Sequence, residues 1–351
     1  MFASQLLLPL YATMFWTTGI DEMQNTGKQP LPGHTSVSVA MCTYNGSRYL
    51  KPQLSSIASQ TQPPAELVVC DDGSNDSTLE IVEAFAGTVP FPVRVHRNEV
   101  NLGSTKNFEQ AIQMCGSDFI TLCDQDDLWQ PGKLEAMTKI LAESGAGGVF
   151  CNAYLIDCHS SRTGEILWSE GDLKAFEGAD KKSYDFVSIL LRCNVVTGAT
   201  MMFRADLRDR ILPCSVEWVH DGWLAWMIVL HSQLLAVPEP LMSYRIHSSQ
   251  QLGLVGRSPI ARLRRARSTG MEAYRAMEKQ FEILLDYARS HREVCSADLC
   301  RRLDDKRRHA RFRAELQSSS TLVRVMGVSR QSSAYRKYAQ GWKSMLKDIL
   351  L

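Results

Sequence analysis

Asp118-Phe119-Ile120-Thr121-Leu122-Cys123-Asp124-Gln125-Asp126-Asp127 holds the key to the chain. Residues 119–123 are apolar or β-branched and uncharged, the composition of a short buried strand. Three carboxylates within four positions then leave the strand's end together. Like charges so close raise one another's pKa unless a cation sits among them. A hard divalent ion, Mg²⁺ or Mn²⁺, is the simplest partner, since it takes oxygen ligands and keeps positions open for substrate phosphates. The competing reading is an acidic turn that caps the helix expected from Pro131.

Outward from this stretch, short apolar runs alternate with amphipathic ones. Strands are predicted at Val37–Met41, Glu66–Cys70, Val93–Arg97 and Phe119–Cys123. Helices are predicted at Tyr49–Ser59, Ser77–Ala86, Ser104–Cys115 and Pro131–Ser144. Such alternation implies right-handed crossovers and an α/β fold with a mostly parallel central sheet flanked by helices. Ligands of these sheets bind beyond the carboxyl ends of the strands, where every polar motif of this chain falls. A fifth strand is expected at Gly148–Cys151, then strands at Thr200–Phe203 and Leu241–Ile246, with a helix at Gly222–Leu230 between them. Basic helices are expected over 271–288, 297–316 and 332–350, the first with Met271, Tyr274, Met277, Phe281, Leu284 and Tyr287 on one face.

The 351 residues carry a formal net charge of +1, which hides an asymmetry. Residues 256–351 hold 22 Lys/Arg against 10 Asp/Glu, a net of +12, so residues 1–255 carry −11. Ten cysteines are scattered without zinc-like spacing, which suits a reducing, cytoplasmic setting better than a disulfide framework. Residues 1–35 show neither a signal-peptide pattern nor a membrane span and are expected to be a poorly ordered lead-in.

The remaining motifs follow the strands in order. Cys42-Thr43-Tyr44-Asn45-Gly46 offers backbone N–H groups and an aromatic face, or is a plain turn. In Asp71-Asp72-Gly73-Ser74-Asn75-Asp76-Ser77, either of the first two carboxylates can accept a pyrimidine imide N–H, and one of Ser74, Asp76 and Ser77 is expected only to cap a helix. Asn101-Leu102-Gly103 precedes Asn107, and Gly103 permits close approach of the backbone to a ligand. As an ordered set with Asp124-Gln125-Asp126-Asp127, these residues resemble glycosyltransferase family 2, the inverting enzymes of GT-A fold. Asp124-Gln125-Asp126-Asp127-Leu128-Trp129 is most similar to its rhamnosyltransferase-like members. The resemblance covers about residues 36–250, within a domain expected over 36–255, with 36–130 its nucleotide-binding half and 131–255 its acceptor half, followed by the helical extension 256–351.

The resemblance implies roles for particular residues. Thr43 and Tyr44 would line a nucleobase pocket with Asp71 on the base, and Asp124 would approach the ribose. Asn45, Asp72, Asn101, Gly103, Asn107 and Gln125 would complete the donor side. Asp126 would hold the metal that bridges the diphosphate, while Asp127 would touch the metal or orient its loop. Asp221, in Trp218-Val219-His220-Asp221-Gly222-Trp223, would be the base that inversion requires, against the competing reading of His220-Asp221 as a helix cap. Gly222 departs from the bulkier residue expected there. Asn194–Thr200, with Thr197 and Gly198, resembles an acceptor-side segment, joined by His220 and Trp223. In Tyr244-Arg245-Ile246-His247-Ser248-Ser249-Gln250, Arg245 would pair with phosphate and His247 would bind metal or diphosphate; Gln250 stands where relatives often show Asn.

The activity so implied is metal-dependent transfer of a sugar, with rhamnose one option, from a UDP or dTDP donor to a glycan or lipid-linked acceptor of a surface polysaccharide. A nucleotidyltransferase would want a Gly-rich phosphate loop near the first strand, where only Arg48 and Lys51 stand. A non-catalytic nucleotide-sugar binder would keep the fold without Asp126 or Asp221, and both are present. The basic helices are expected to touch an anionic membrane from the cytoplasmic side, to form an oligomer contact, or to pack as a solvated extension; nucleic-acid binding lacks a recognisable motif.

Overall fold

The computed structural model describes residues 35–168, 185–247 and 270–350. The lead-in expected over 1–35, apart from Thr35, lies outside these residues, as do Ser248 to Gln250 and the expected boundary at 255. Four parallel strands form one half of the sheet: β1 (Val37–Thr43), β2 (Glu66–Asp71), β3 (Val93–Arg97) and β4 (Phe119–Cys123). Their order is β3-β2-β1-β4. Between them run α1 (Ser47–Ala58), α2 (Thr78–Ala86) and α3 (Ser104–Met114), and α4 (Lys133–Ser144) follows.

The second half of the sheet mixes directions. It adds β5 (Leu128–Trp129), β6 (Gly148–Ile156), β7 (Arg162–Ile166), β8 (Met201–Arg204) and β9 (Leu234–Arg245), ordered β4-β8-β6-β9-β5 with β7 beside β6. Only β6 and β9 pair in parallel here. The run at 148–151 is the start of a nine-residue strand. The two-residue β5 was hidden, because Leu128-Trp129 is too short to show a period.

The alternation of β1 divides two cores. Val37, Val39 and Met41 face α1 and α4, packing with Leu50, Leu54, Ile57 and Leu134. Ala40 faces the opposite layer with Phe108 and Ile112 of α3 and with α6 (His220–His231). Successive residues of a strand point to opposite faces, so one heptapeptide serves both cores. Before α6 lies the short α5 (Phe186–Arg192), whose cap Asp185 accepts the Ser188 N–H at 3.0 Å.

The helical extension shares this second core. In α7 (Met271–Ser290) the expected face is buried at Tyr274, Phe281 and Leu284, and Phe281 and Leu284 join the cluster that holds Trp226 and Leu224 of α6. α8 (Ala297–Leu316) runs against α7, and Ser296 caps it by accepting the Leu299 N–H at 3.1 Å. The single helix expected over 332–350 is two, α10 (Ser332–Tyr338) and α11 (Trp342–Leu350), preceded by an unexpected α9 (Thr321–Arg330). A buried cluster ties α11 to the body. Asp348 accepts from Arg313 at 2.6 Å and 3.0 Å, from Tyr274 at 2.8 Å and from Tyr335 at 2.6 Å. Asp348 is wholly enclosed, and these four donor contacts take the place of water around its carboxyl group.

Candidate active site

A cavity of about 480 Å³ opens at the carboxyl ends of β1, β2 and β4, a volume suited to a nucleotide-sized ligand. Thr43, Tyr44, Asn45, Asp72, Asn107, Asp124, Gln125 and Asp126 line it from the parallel half, and Thr197, Gly198, His220, Asp221 and His247 from the mixed half. The structure thus brings together thirteen of the residues singled out from sequence, drawn from segments spread over two hundred positions.

The first loop is built by close approach. Asn45 adopts φ +48°, a left-handed conformation that Asn tolerates, and its side-chain oxygen accepts the Asn75 N–H at 2.8 Å. Gln125 spans from the acidic loop to Tyr44, accepting its N–H at 2.9 Å and donating to its carbonyl at 3.1 Å. Gly46 makes room for this latch: a Cβ there would lie 2.1 Å from Gln125 Oε1. The backbone that carries the exposed Tyr44 ring is therefore fixed by a side chain expected to meet the donor itself.

Asp71 and Asp72 fare differently. Asp71 is fully buried, accepts from Thr43 Oγ1 and from both the N–H and hydroxyl of Ser74 at 2.5–2.9 Å, and does not line the cavity. Its oxygens are spent on fixing the loop, so the carboxylate of this pair that reaches the cavity is Asp72. Asp72 also accepts the N–H groups of Leu102 and Gly103 at 2.7 and 2.9 Å and the amide of Asn98 at 2.8 Å. Gly103 is required for its φ of +78°, which turns its N–H toward Asp72, while Asn101 donates to the Asp72 carbonyl. Neither Asn101 nor Gly103 lines the cavity. Of the three capping candidates, Asp76 closes on Thr78 and Ser47 ahead of α2, and Ser74 turns away to Asn45 and Asp71.

The acidic loop separates its three carboxylates. Asp124 and Asp126 line the cavity; Asp127 is fully buried beneath them, accepting the Arg245 N–H at 2.9 Å. Its second oxygen meets no hydrogen-bond donor among the described residues. Asp127 thus stands where it orients the loop rather than where a cavity ion would reach it. Burial, and then the charges of Asp126 and Asp221, push Asp124 up to about 7. The same burial, reinforced by Asp126 and Asp124, raises Asp127 strongly. Lys133, itself enclosed, offsets part of this: it lies 3.9 Å from the Trp129 ring centre and donates to the Ala199 carbonyl at 2.7 Å.

Arg245 is likewise enclosed, donating to the Asp126 carbonyl at 2.6 Å and to Asp157 and Ser160 at 3.0 Å, with its guanidinium 4.5 Å from the Tyr49 ring centre. It braces the acidic loop from behind and does not line the cavity, so the cation at the rim is Arg48. His247 does face the cavity, with Nε2 2.7 Å from Asp126 Oδ2. Asp126 and His247 suit a divalent ion that takes one or two protein ligands and completes its shell with phosphate and water, and a cation would offset the burial and the neighbouring carboxylates that raise Asp124. Among the described residues no group of three or more such side chains converges on one point.

Across the cavity, Asp221 opens α6. Its Oδ1 accepts from the Gly222 N–H at 2.5 Å and from Asn194 at 3.1 Å, yet burial outweighs these bonds and holds the carboxyl at about 6. His220 stacks 4.1 Å from Phe108 with neither ring nitrogen bonded among the described residues, and burial lowers it to about 4, leaving a neutral imidazole. Gly198 is obligatory beside it, since a Cβ would lie 2.5 Å from His220 Nε2. The small Gly222 is filled by Trp218, whose ring approaches its Cβ position to 3.2 Å. Trp223 is a core residue, donating to the Ile211 carbonyl at 2.8 Å; its burial keeps it from an acceptor. The turn before Asp221 is clamped by α7, where Trp218 donates to the Gln280 carbonyl at 3.2 Å and Gln280 donates to Glu217 at 2.7 Å.

Sequence reading missed Arg48, Tyr49 and Phe108 as cavity residues. The available signal was position: each lies in the first turns of a helix that follows a parallel strand, where side chains converge on the crevice.

The model of glycosyl transferase family 2 matches residues 38–212. An uncharacterised glycosyltransferase from a Nostoc strain is 24% identical over 221 residues, 61% of this chain and 65% of its own. An Escherichia coli protein, the UDP-Glc:α-D-GlcNAc-diphosphoundecaprenol β-1,3-glucosyltransferase WfgD, is 26% identical over 195 residues, 55% of this chain and 69% of its own. The chain thus spans just under two thirds of the Nostoc relative. S. aureus TarS 1–349 in complex with UDP-GlcNAc superposes with a TM-score of 0.54 at 15% identity, over 86% of this chain and 81% of the 1–349 chain, which shows a shared GT-A fold.

Proposed function

Starting from a chain that belongs to glycosyltransferase family 2, we propose that it moves a sugar from a nucleoside-diphosphate donor to a hydroxyl of a glycan or lipid-linked acceptor, with inversion. One observation carries this reading above all. A carboxyl held near neutrality, Asp221, faces the same cavity as the acidic loop that would receive a diphosphate. A base is most effective when its pKa lies near the working pH.

In this reading Tyr44 and Asp72 hold the base, Asp124 the ribose, and Arg48 meets the diphosphate from the rim. Asp221 takes the proton of the acceptor hydroxyl as its oxygen bonds to the anomeric carbon; the bond from that carbon to the phosphate oxygen breaks, and the nucleoside diphosphate departs. Neutral His220 orients the acceptor by hydrogen bonding, beside Thr197 and Gly198. Asp126 and His247 would hold Mn²⁺ or Mg²⁺, which supplies Lewis-acid stabilisation of the leaving group.

The pyrimidine donor is UDP- or dTDP-linked. The acidic loop's likeness to rhamnosyltransferases argues for rhamnose, whereas the UDP-glucose donor of WfgD and the UDP-GlcNAc bound to TarS argue for a UDP-linked hexose. The diphosphoundecaprenol acceptor of WfgD also favours a diphosphate-lipid acceptor and hence work at the cytoplasmic face of a membrane. A donor panel tests the proposal: purified protein with Mn²⁺ or Mg²⁺ should release UDP or dTDP from one donor, and the transferred sugar should carry the inverted anomeric configuration by NMR. Retained configuration, or transfer of the nucleotide rather than the sugar, would overturn it.

A further inference from the structure

We propose that the three C-terminal helices form a docking surface for an anionic lipid bilayer. In α11, Trp342, Leu346 and Leu350 recur every four residues and are 68%, 48% and 67% exposed. Residues i, i+4 and i+8 share one helix face, so they make an outward apolar stripe, with Lys343 and Lys347 each one position round from it. Met345 and Ile349 on the inner side pack with Leu316 and Tyr335. The neighbouring α9 repeats the pattern: Val328 is buried, while Leu322, Val323, Val325 and Met326 are exposed.

Charge selects the occupant. Residues 317–350 contain six Lys/Arg and a single acid, Asp348, which is enclosed and bonded to Arg313. The preceding α8 is different: its Arg301, Arg307, Arg308 and Arg311 are each neutralised by Asp or Glu within 4.0 Å. Arg330, Arg336, Lys337 and Lys343 make no ion pair among the described residues. Exposed apolar side chains including a tryptophan, flanked by unneutralised cations, match the boundary between anionic headgroups and acyl chains. A second copy of the chain fits poorly, because a symmetric contact sets these cations against their own equivalents. Among the described residues no helix is long and apolar enough to cross a membrane, so the contact is a surface one.

Co-sedimentation of the full chain with phosphatidylcholine vesicles, with and without phosphatidylglycerol, tests this without donor or acceptor, so its outcome is separate from that of the transferase reading. The protein should pellet with the anionic vesicles only, and salt should release it. Lys337→Glu with Lys343→Glu, a surface change that leaves packing intact, should weaken binding at least about tenfold. Trp342→Ser with Leu346→Ser should weaken it similarly while the far-UV spectrum is unchanged. Undiminished binding in both variants would overturn the proposal and assign the affinity to another segment, such as the arginine-rich 257–267. A change in oligomer mass with unchanged vesicle binding would overturn it in favour of a contact between copies.

Discussion

Two sets of carboxylates stand in or behind the wall of one cavity, and they are treated in opposite ways. Asp71 and Asp72, after β2, each accept three hydrogen bonds from neighbouring N–H and O–H groups. Asp127, after β4, is buried, Asp124 beside it and Asp221, at the head of α6, are half-buried, and in all three desolvation outweighs the bonds they accept and pushes the carboxyl upward. Satisfied carboxylates make a rigid frame, while strained ones store a demand for a proton or a cation. In the proposed reading, the demand at Asp124 and Asp221 faces the cavity where transfer would take place.

The sharpest way to break this contrast is Asp221→Asn, which keeps volume and hydrogen bonding but removes the base. Transfer should fall by about 10³-fold while nucleotide binding, followed by calorimetry, holds. Loss of both would make Asp221 a frame residue like Asp71. Next, Asp126→Asn should cost about 10²-fold in turnover and abolish stimulation by added Mn²⁺. Full activity in excess chelator would remove the metal from the account.

Stability should respond with the opposite ranking. Asp71→Ala orphans Thr43 and Ser74 and should cost about 2–3 kcal/mol, read as a lowered Tm. Asp221→Asn should instead raise Tm at neutral pH. Its folded carboxyl titrates near 6, above the ordinary carboxylate range, so its contribution to stability is complete at low pH and lost as pH rises through about 6. The asparagine variant escapes that loss, on the order of 3 kcal/mol, and the difference in Tm should vanish in acid. Smallest is Gly46→Ala, whose Cβ collides with Gln125 and should cost about 1–3 kcal/mol, seen as a weakened donor KM through a displaced Tyr44.

The parallel half of the sheet was legible because each strand and helix there follows one period and ends at a polar motif. Val93–Arg97 and Phe119–Cys123 stand where the sequence placed them. The mixed half was less legible. Leu128-Trp129 is too short for a pattern, and β9 carries Pro238 and Pro240 through a bulged register that masks its first half. Within the site, sequence found which carboxylates cluster but not which way each points. Asp71 and Asp72 are adjacent, as are Asp126 and Asp127, and alternation along an extended chain sends one of each pair inward. Arg245 illustrates the same limit, since its charge suggested phosphate whereas its burial made it a brace.

The pH dependence of transfer by the wild-type protein is the most direct test of the contrast, using the donor identified from the panel. The rate should climb as pH rises through about 6 and level off above it, with the climb absent from the residual activity of Asp221→Asn. A flat profile across that range, or a climb that survives the substitution, would contradict the assignment of Asp221 as the base.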